Sequence, residues 1–497
     1  MVTTDELLSR LQVSIDKYFE WLVVYPEGRS FPLQANEIEI KDTGGRVVIG
    51  VPGEKGFRSW RVLQVDVEGE EVFIDVAGAF GSERSSIRLI PRTPAAELAK
   101  NIEFARSVRA NEIAALVPAG LPGFRVVRVA FNEGNGRIAT YTLENENKRQ
   151  STAISDVTNS LSPEALLSTA ILWFERSNAR RKKPFEDVWI FAEKRRSRPL
   201  RKLHTLLERG AKARVRIAEI ADEKGDLKLK ELDPQTVNSL WREKPKRLAL
   251  PAEVKTSGIG EMIAEIAPEK IDLIRSKQGE TLRFHGLPFA RVRTMLGKEK
   301  AWFGVDKNRK VLDGANFRDV ESLVEELERF RSAESQNPRH EYYRTSPESW
   351  LESILRRNIK LLDANVELSP IYNQFRTLSD KIDLLALRKD GRLVIIELKT
   401  SPDREMVFQA ADYWRKIELH RRRGHIRDAR LFGDREILDK PALVYAVAPA
   451  LSFHRRFDPF AKMLVPEIEL WRFDLHEDWR REIKVIARIN HSLERKT

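Results

Sequence analysis

The stretch "GRLVIIELKT", Gly391 to Thr400, constrains this chain more than any other. Val394, Ile395, Ile396 and Leu398 are what a buried strand wants, yet Glu397 and Lys399 sit among them, and ionised groups are rarely buried without a partner or a task. Just upstream lies a second apolar run, "IDLLAL", joined to the first through Arg388 and Lys389-Asp390-Gly391. A three-residue loop with Gly in the left-handed position makes a hairpin. In that register Arg388 faces Arg392, and counting back by equal steps sets Asp383 opposite Glu397. Side chains alternate along a strand, so Lys399 shares a face with Glu397.

Directly opposed carboxylates repel. A divalent cation between them removes that cost, and Mg²⁺ takes one or two carboxylates together with waters and phosphate oxygens. Phosphodiester hydrolysis uses such a set: a metal acidifies a bound water, and Lys399 can orient that water or offset the growing negative charge. The competing reading is an exposed sheet face with an internal ion pair.

"IDLLALRKDGRLVIIELKT" resembles the core of the PD-(D/E)XK nuclease superfamily. The following helix carries Gln409 and Tyr413, which match the Gln-x-x-x-Tyr element of the RecB-like branch. The block also resembles the nuclease domain of archaeal and actinobacterial mismatch endonucleases. The resemblance covers Ser346 to Phe473, roughly a quarter of the chain, and departs from the family where Ile382 stands in place of Pro. It implies a restriction-endonuclease-like α/β domain and an Mg²⁺-dependent deoxyribonuclease, an endonuclease before an exonuclease, with Mn²⁺ as a substitute metal. Asp383, Glu397 and Glu352 would hold the metal, with Glu348 the alternative first-helix acid. Lys399 would be catalytic, Gln409 would anchor substrate or a ligand water, and Tyr413 would meet substrate. For the helix acids the bland reading is a solvent-facing charge, for Gln409 a surface amide, and for Tyr413 a core-edge aromatic. Members of the superfamily often pair to cut both strands, so a homodimer is compatible with it.

At 497 residues the chain exceeds one hydrophobic core, and 41% hydrophobic residues supply several. The expected organisation is multidomain α/β. Residues 1–93 read as a β-rich barrel or sandwich that could recruit a protein partner. Residues 94–235 read as an α/β domain, 236–338 as a mixed connector, and 339–497 as the nuclease-like domain. Within this, Ala221 to Leu248 reads as a charged linker. "GIGEMIA", Gly258 to Ala264, imitates a phosphate-holding hairpin, although a plain glycine-rich helix start is the commoner meaning.

The order helix, hairpin, helix, strand, helix, strand occurs twice, in residues 94–235 and again in 339–497, which points to an internal duplication. Placing "GRIATYTLEN" on "GRLVIIELKT" sets Arg128, Thr142 and Glu144 where Asp383, Glu397 and Lys399 stand, so the earlier copy would lack a metal site.

A formal charge of +12 suggests a polyanionic partner, DNA before RNA. The cationic clusters Arg180, Arg181, Lys182 and Lys183, and Arg195 with Arg196, are candidate nucleic-acid contacts, or else solvated helix ends. The absence of cysteine excludes disulfides, thiolate nucleophiles and cysteine zinc sites and fits a reducing cytoplasm. No apolar run reaches membrane-spanning length, so a soluble, cytoplasmic protein is expected.

Overall fold

The computed structural model describes residues 4–25, 30–53, 56–77, 84–92, 95–131, 136–223, 226–245, 256–276, 279–295, 298–305, 309–368 and 383–492. Ile382, Thr93-Pro94 and most of "NEGNG" lie outside them. The protein is a multidomain α/β chain with four sheets in two compact units, Met1–Val108 and Arg109–Thr497. No helix among the described residues is long and apolar enough to cross a membrane.

In the first unit, helix Thr4–Ile15 precedes seven strands between Glu20 and Pro91 that join in one antiparallel sheet. Alternation along the strands sends Trp21, Val23, Ile49, Val65, Ile74 and Leu89 to a common core, where Leu11 and Ile15 of the helix meet them.

The second unit contains two six-stranded sheets of one design. In the upstream half, helix α1 (Ala95–Gly120) leads to β1 (Phe124–Phe131), β2 (Ile138–Asn145) and β3 (Gln150–Asp156). Then come α2 (Pro163–Ala179), β4 (Val188–Glu193), α3 (Lys194–Thr205), β5 (Val215–Glu223) and β6 (Asp226–Glu231). In the downstream half, α4 (Pro347–Arg357) leads to β7 (Val366–Leu368), β8 (Leu384–Arg388) and β9 (Leu393–Leu398). It continues with α5 (Met406–Arg422), β10 (Leu443–Pro449), α6 (Phe457–Lys462), β11 (Glu469–Leu475) and β12 (Val485–Asn490). Each sheet runs in chain order. Strand directions agree pair by pair: the first three strands are antiparallel neighbours, the third, fourth and fifth are parallel, and the sixth is antiparallel.

This topology corrects two expectations. Part of the supposed linker after Ala221 is the β5–β6 hairpin. More important, β3 makes a third strand before the helix, so the counterpart of β8–β9 is β2–β3 and not β1–β2. The two turns then coincide. Asn145 N donates to Arg149 O and Lys148 N to Asn145 O, just as Arg388 N donates to Arg392 O and Gly391 N to Arg388 O. The residue before the last is left-handed in both, Lys148 at φ 55° and Gly391 at φ 83°. From these turns to the ends of α2 and α5 the halves match without insertion or deletion, both helices being 17 residues long.

Each sheet is covered on both faces. α1 packs Ile113 and Val117 against Tyr141, Trp189 and Ile220. α4 packs Trp350, Leu351 and Leu355 against Val394, Ile396 and Leu398. The other two faces meet in a common core, where Ile154, Leu167, Ile190 and Leu203 join Ile395, Val407, Trp414 and Phe460. The halves are therefore back to back, with α2 and α3 against α5 and α6.

Their contacts pair equivalent positions. Ser162, the residue before α2, donates from Oγ to Glu405 Oε2, the residue before α5, at 3.0 Å. Just past α3 and α6, Leu207 and Leu464 form an antiparallel bridge, with Glu208 N donating to Met463 O and Val465 N to Leu206 O. Contacts between like and like mark an isologous, two-fold interface, here within one chain.

Between the halves lies a five-stranded antiparallel sheet, Ile271 to Leu312, with helices Gly258–Glu265 and Phe317–Phe330. The "GIGEMIA" helix start is not open to phosphate: Ser257 Oγ accepts from Gly260 N, and the buried Glu280 carboxylate accepts from Ser257 N. Arg331, wholly buried, ties this region to α4. Its guanidinium donates to the carbonyls of Phe284, Tyr342, Thr345 and Ser346 and lies 4.9 Å from the Trp350 ring centre.

Candidate active site

The site forms where β8 begins and β9 ends. Leu384 pairs with Ile396, and one step further along that register Asp383 stands opposite Glu397. The geometry is fixed through the backbone, because Leu398 N donates to Asp383 Oδ2 at 2.9 Å. Glu397 is 2% exposed, and its Oε1 lies 3.0 Å from Lys399 Nζ. Asp403 approaches the same ammonium at 3.5 Å.

Burial, with the charge of Asp383 second, pushes Glu397 well above the usual carboxylate range, and Lys399 only partly offsets this. At Lys399 burial opposes the ammonium, yet Glu397 and Glu348 outweigh it and hold the pKa above that of an ordinary lysine. The first-helix acid whose charge registers at both groups is Glu348, in the first turn of α4. Glu352, one turn on, is 3% exposed.

Three buried polar atoms at this end of the sheet have no hydrogen-bond partner: Glu397 Oε2, Thr400 Oγ1 and Gln409 Oε1. Buried acceptors are normally satisfied, so the orphaned Glu397 oxygen is where a cation and its waters would fit. Thr400 carried no sequence signal, because a threonine after a strand is unremarkable until its hydroxyl proves buried and unmatched. Among the described residues no three His, Asp or Glu side chains meet as a ready-made metal cage. A carboxylate with one orphaned oxygen, set opposite a second carboxylate, suits Mg²⁺, which keeps several waters, better than a metal held wholly by protein.

The other candidates fall in different places. Tyr413 packs against the common core, with Lys416 Nζ 5.7 Å from its ring centre. Arg180, Arg181, Lys182 and Lys183 follow the C-terminus of α2, whereas the end of α2 that meets α5 is its N-terminus. At 1.5 Å per residue they lie about 25 Å along the helix from that meeting point. Arg181 is occupied locally, donating to Gln150 Oε1 and stacking on Phe185 at 4.1 Å. Arg195 and Arg196 open α3, where Arg196 donates to Asn159 O at 3.5 Å.

With the matched turns superposed, the upstream counterparts of Asp383, Glu397 and Lys399 are Thr140, Ile154 and Asp156, replacing Arg128, Thr142 and Glu144. Thr140 and Ile154 are paired across β2–β3, as the register requires. Asp156 spends its carboxylate on its own loop, accepting from Thr158 N, Thr158 Oγ1 and Leu161 N. Of the three equivalent positions only Asp156 is an acid, and its carboxylate is already engaged by its own loop.

No protein-family model matches the chain, and no curated protein matches it. Among solved structures, EndoMS in apo form aligns at 14% identity over 38% of this chain and 85% of that one, with a TM-score of 0.12. A TM-score that low carries no argument about fold or function.

Proposed function

We propose that the protein is a metal-dependent nuclease hydrolysing phosphodiester bonds of DNA, with its site at Asp383, Glu397 and Lys399. The observation that carries this reading is the buried Glu397 carboxylate, raised in pKa, set opposite Asp383 and bound by Lys399 through one oxygen only. A bound Mg²⁺, or Mn²⁺ in its place, would supply a Lewis acid and a water of lowered pKa. Asp383 and Glu397 would hold it, with Glu348 or Glu352 lending negative charge. Lys399, kept protonated by its neighbours, would steady the charge that grows on the phosphoryl oxygens or orient the attacking water. Gln409 Oε1 would accept a hydrogen bond from a ligand water. The downstream α/β domain, with its hairpin followed by a helix and a parallel strand, is compatible with this reading, and the charge of +12 suits a polyanionic substrate.

A non-catalytic nucleic-acid scaffold is the second reading. That no three acids meet as a cage among the described residues suits it; the retained carboxylates, set against Thr140 and Ile154 upstream, favour the enzyme. Labelled single-stranded, duplex and branched DNA, incubated with Mg²⁺ or Mn²⁺, separates them. The wild-type chain should cut and Asp383→Ala should not. Cleavage absent throughout, or equal in the two, refutes the enzyme.

A further inference from the structure

We infer that the upstream half is the holding half of an internal pseudo-dimer, and that a cationic groove on α3 binds the phosphate backbone of the nucleic acid presented to the other half. The inference rests on the nuclease reading only for the purpose of the hold. Lys194, Arg195, Arg198, Pro199 and Lys202 line a cavity of about 540 Å³ with four cations and no carboxylate in its wall. Arg195 and Arg198 are exposed and make no ion pair among the described residues, while Lys202 reaches Glu243 at 2.7 Å. Unpaired, clustered cations at a concave surface gain most from phosphate, because binding releases the counterions condensed on the nucleic acid.

Placement strengthens the case. Lys194 directly follows Glu193, the last residue of β4, so the groove opens where the parallel strands end. It is the edge equivalent to the one at which β9 ends beside Glu397. The two edges adjoin through a continuous chain of contacts: Glu397 to Lys399, Lys399 to Asp403, Glu405 N to Asp403 Oδ1, Ser162 to Glu405, and Leu161 N to Asp156. A strand laid along this line would pass from the competent end to the emptied one and its cations. With Thr140 and Ile154 in place of two carboxylates, less negative charge stands there to repel phosphate, Asp156 and Glu193 being the acids that remain.

The test measures binding, so it does not depend on cleavage. In the full chain carrying Asp383→Ala, anisotropy of a labelled DNA duplex is titrated over a range of salt. Adding Arg195→Gln and Arg198→Gln is expected to weaken binding roughly tenfold or more and to reduce the salt slope by about two, one per lost phosphate contact. Arg180→Gln with Lys183→Gln, the same charge change at the far end of α2, is expected to leave both nearly unchanged, with melting curves confirming that all variants fold. Unchanged affinity in the α3 variant, an equal loss in the α2 variant, or no duplex binding at all overturns the proposal. So does displacement of the duplex by polyglutamate at matched charge, which would point to an acidic protein segment. If the α3 variant binds normally while the wild-type chain cuts, this proposal fails alone. If binding falls as expected and nothing ever cuts, the nuclease reading fails alone.

Discussion

At the scale of single residues, the proposed chemistry turns on Glu397. A carboxyl whose folded pKa lies above its unfolded value stabilises the fold most when protonated, below the unfolded value, and that contribution is lost as pH rises through the folded value. In the metal-free protein burial and Asp383 disfavour ionisation of Glu397, a cost that a divalent cation would relieve. Mg²⁺ is expected to raise the melting midpoint near pH 8, with saturation at a hundred times Kd adding about 2.7 kcal/mol. The shift should shrink toward acid at a pH above that of an ordinary carboxyl titration, and should vanish in Asp383→Ala. Melting curves with and without Mg²⁺ across pH check this; equal shifts in the variant would place the metal elsewhere. Lys399→Met should cut at least a hundredfold more slowly, by the measure of electrostatic groups in other active sites, while keeping the Mg²⁺-induced midpoint shift. The Asp383–Glu397–Lys399 arrangement was legible because a period of two and one glycine fix a short hairpin. Thr400 was not, because an orphaned hydroxyl is a property of packing.

At the scale of elements, the two halves show what pattern reading captures and what it misses. β9 announces itself by Leu393, Val394, Ile395 and Ile396, all buried. β3, "QSTAISD", occupies the same place with Ser151, Thr152 and Ser155 buried. Its hydroxyls are satisfied inside the fold, Ser155 by Tyr141 at 2.8 Å and Thr152 by Trp173 at 2.9 Å. A central strand whose polar groups are matched internally leaves no hydropathy signal, and missing it displaced the alignment of the copies by a strand. The turns test the corrected alignment. Gly391→Ala should destabilise by about 1–2 kcal/mol, because its φ is left-handed and a Cβ would meet Glu436 O at 2.9 Å. Lys148→Gly, relieving the same conformation upstream, should stabilise by up to about 1 kcal/mol. Urea unfolding of both variants reads the two signs; a destabilised Lys148→Gly would argue against equivalent turns.

At the scale of the whole molecule, the unit from Arg109 onward is a dimer written into one chain, with like contacting like at Ser162 and Glu405 and at Leu207 and Leu464. Order along the chain gave this away in outline, since the same succession of elements occurs twice. The back-to-back packing was not readable, because the apolar faces of α2 and α5 look alike whether they cover their own sheets or each other. One half keeps opposed carboxylates and the other has Thr140 and Ile154, so the proposal places a single competent site in a paired fold.

Conversion of supercoiled plasmid distinguishes one cutting site from two. With Mg²⁺ the wild-type chain is expected to accumulate open circles before linear molecules, one strand cut per encounter, and Glu397→Gln is expected to leave the plasmid supercoiled. Linear product formed without an open-circle intermediate would contradict the single site, and equal conversion by Glu397→Gln, or none by either chain, would contradict the site itself.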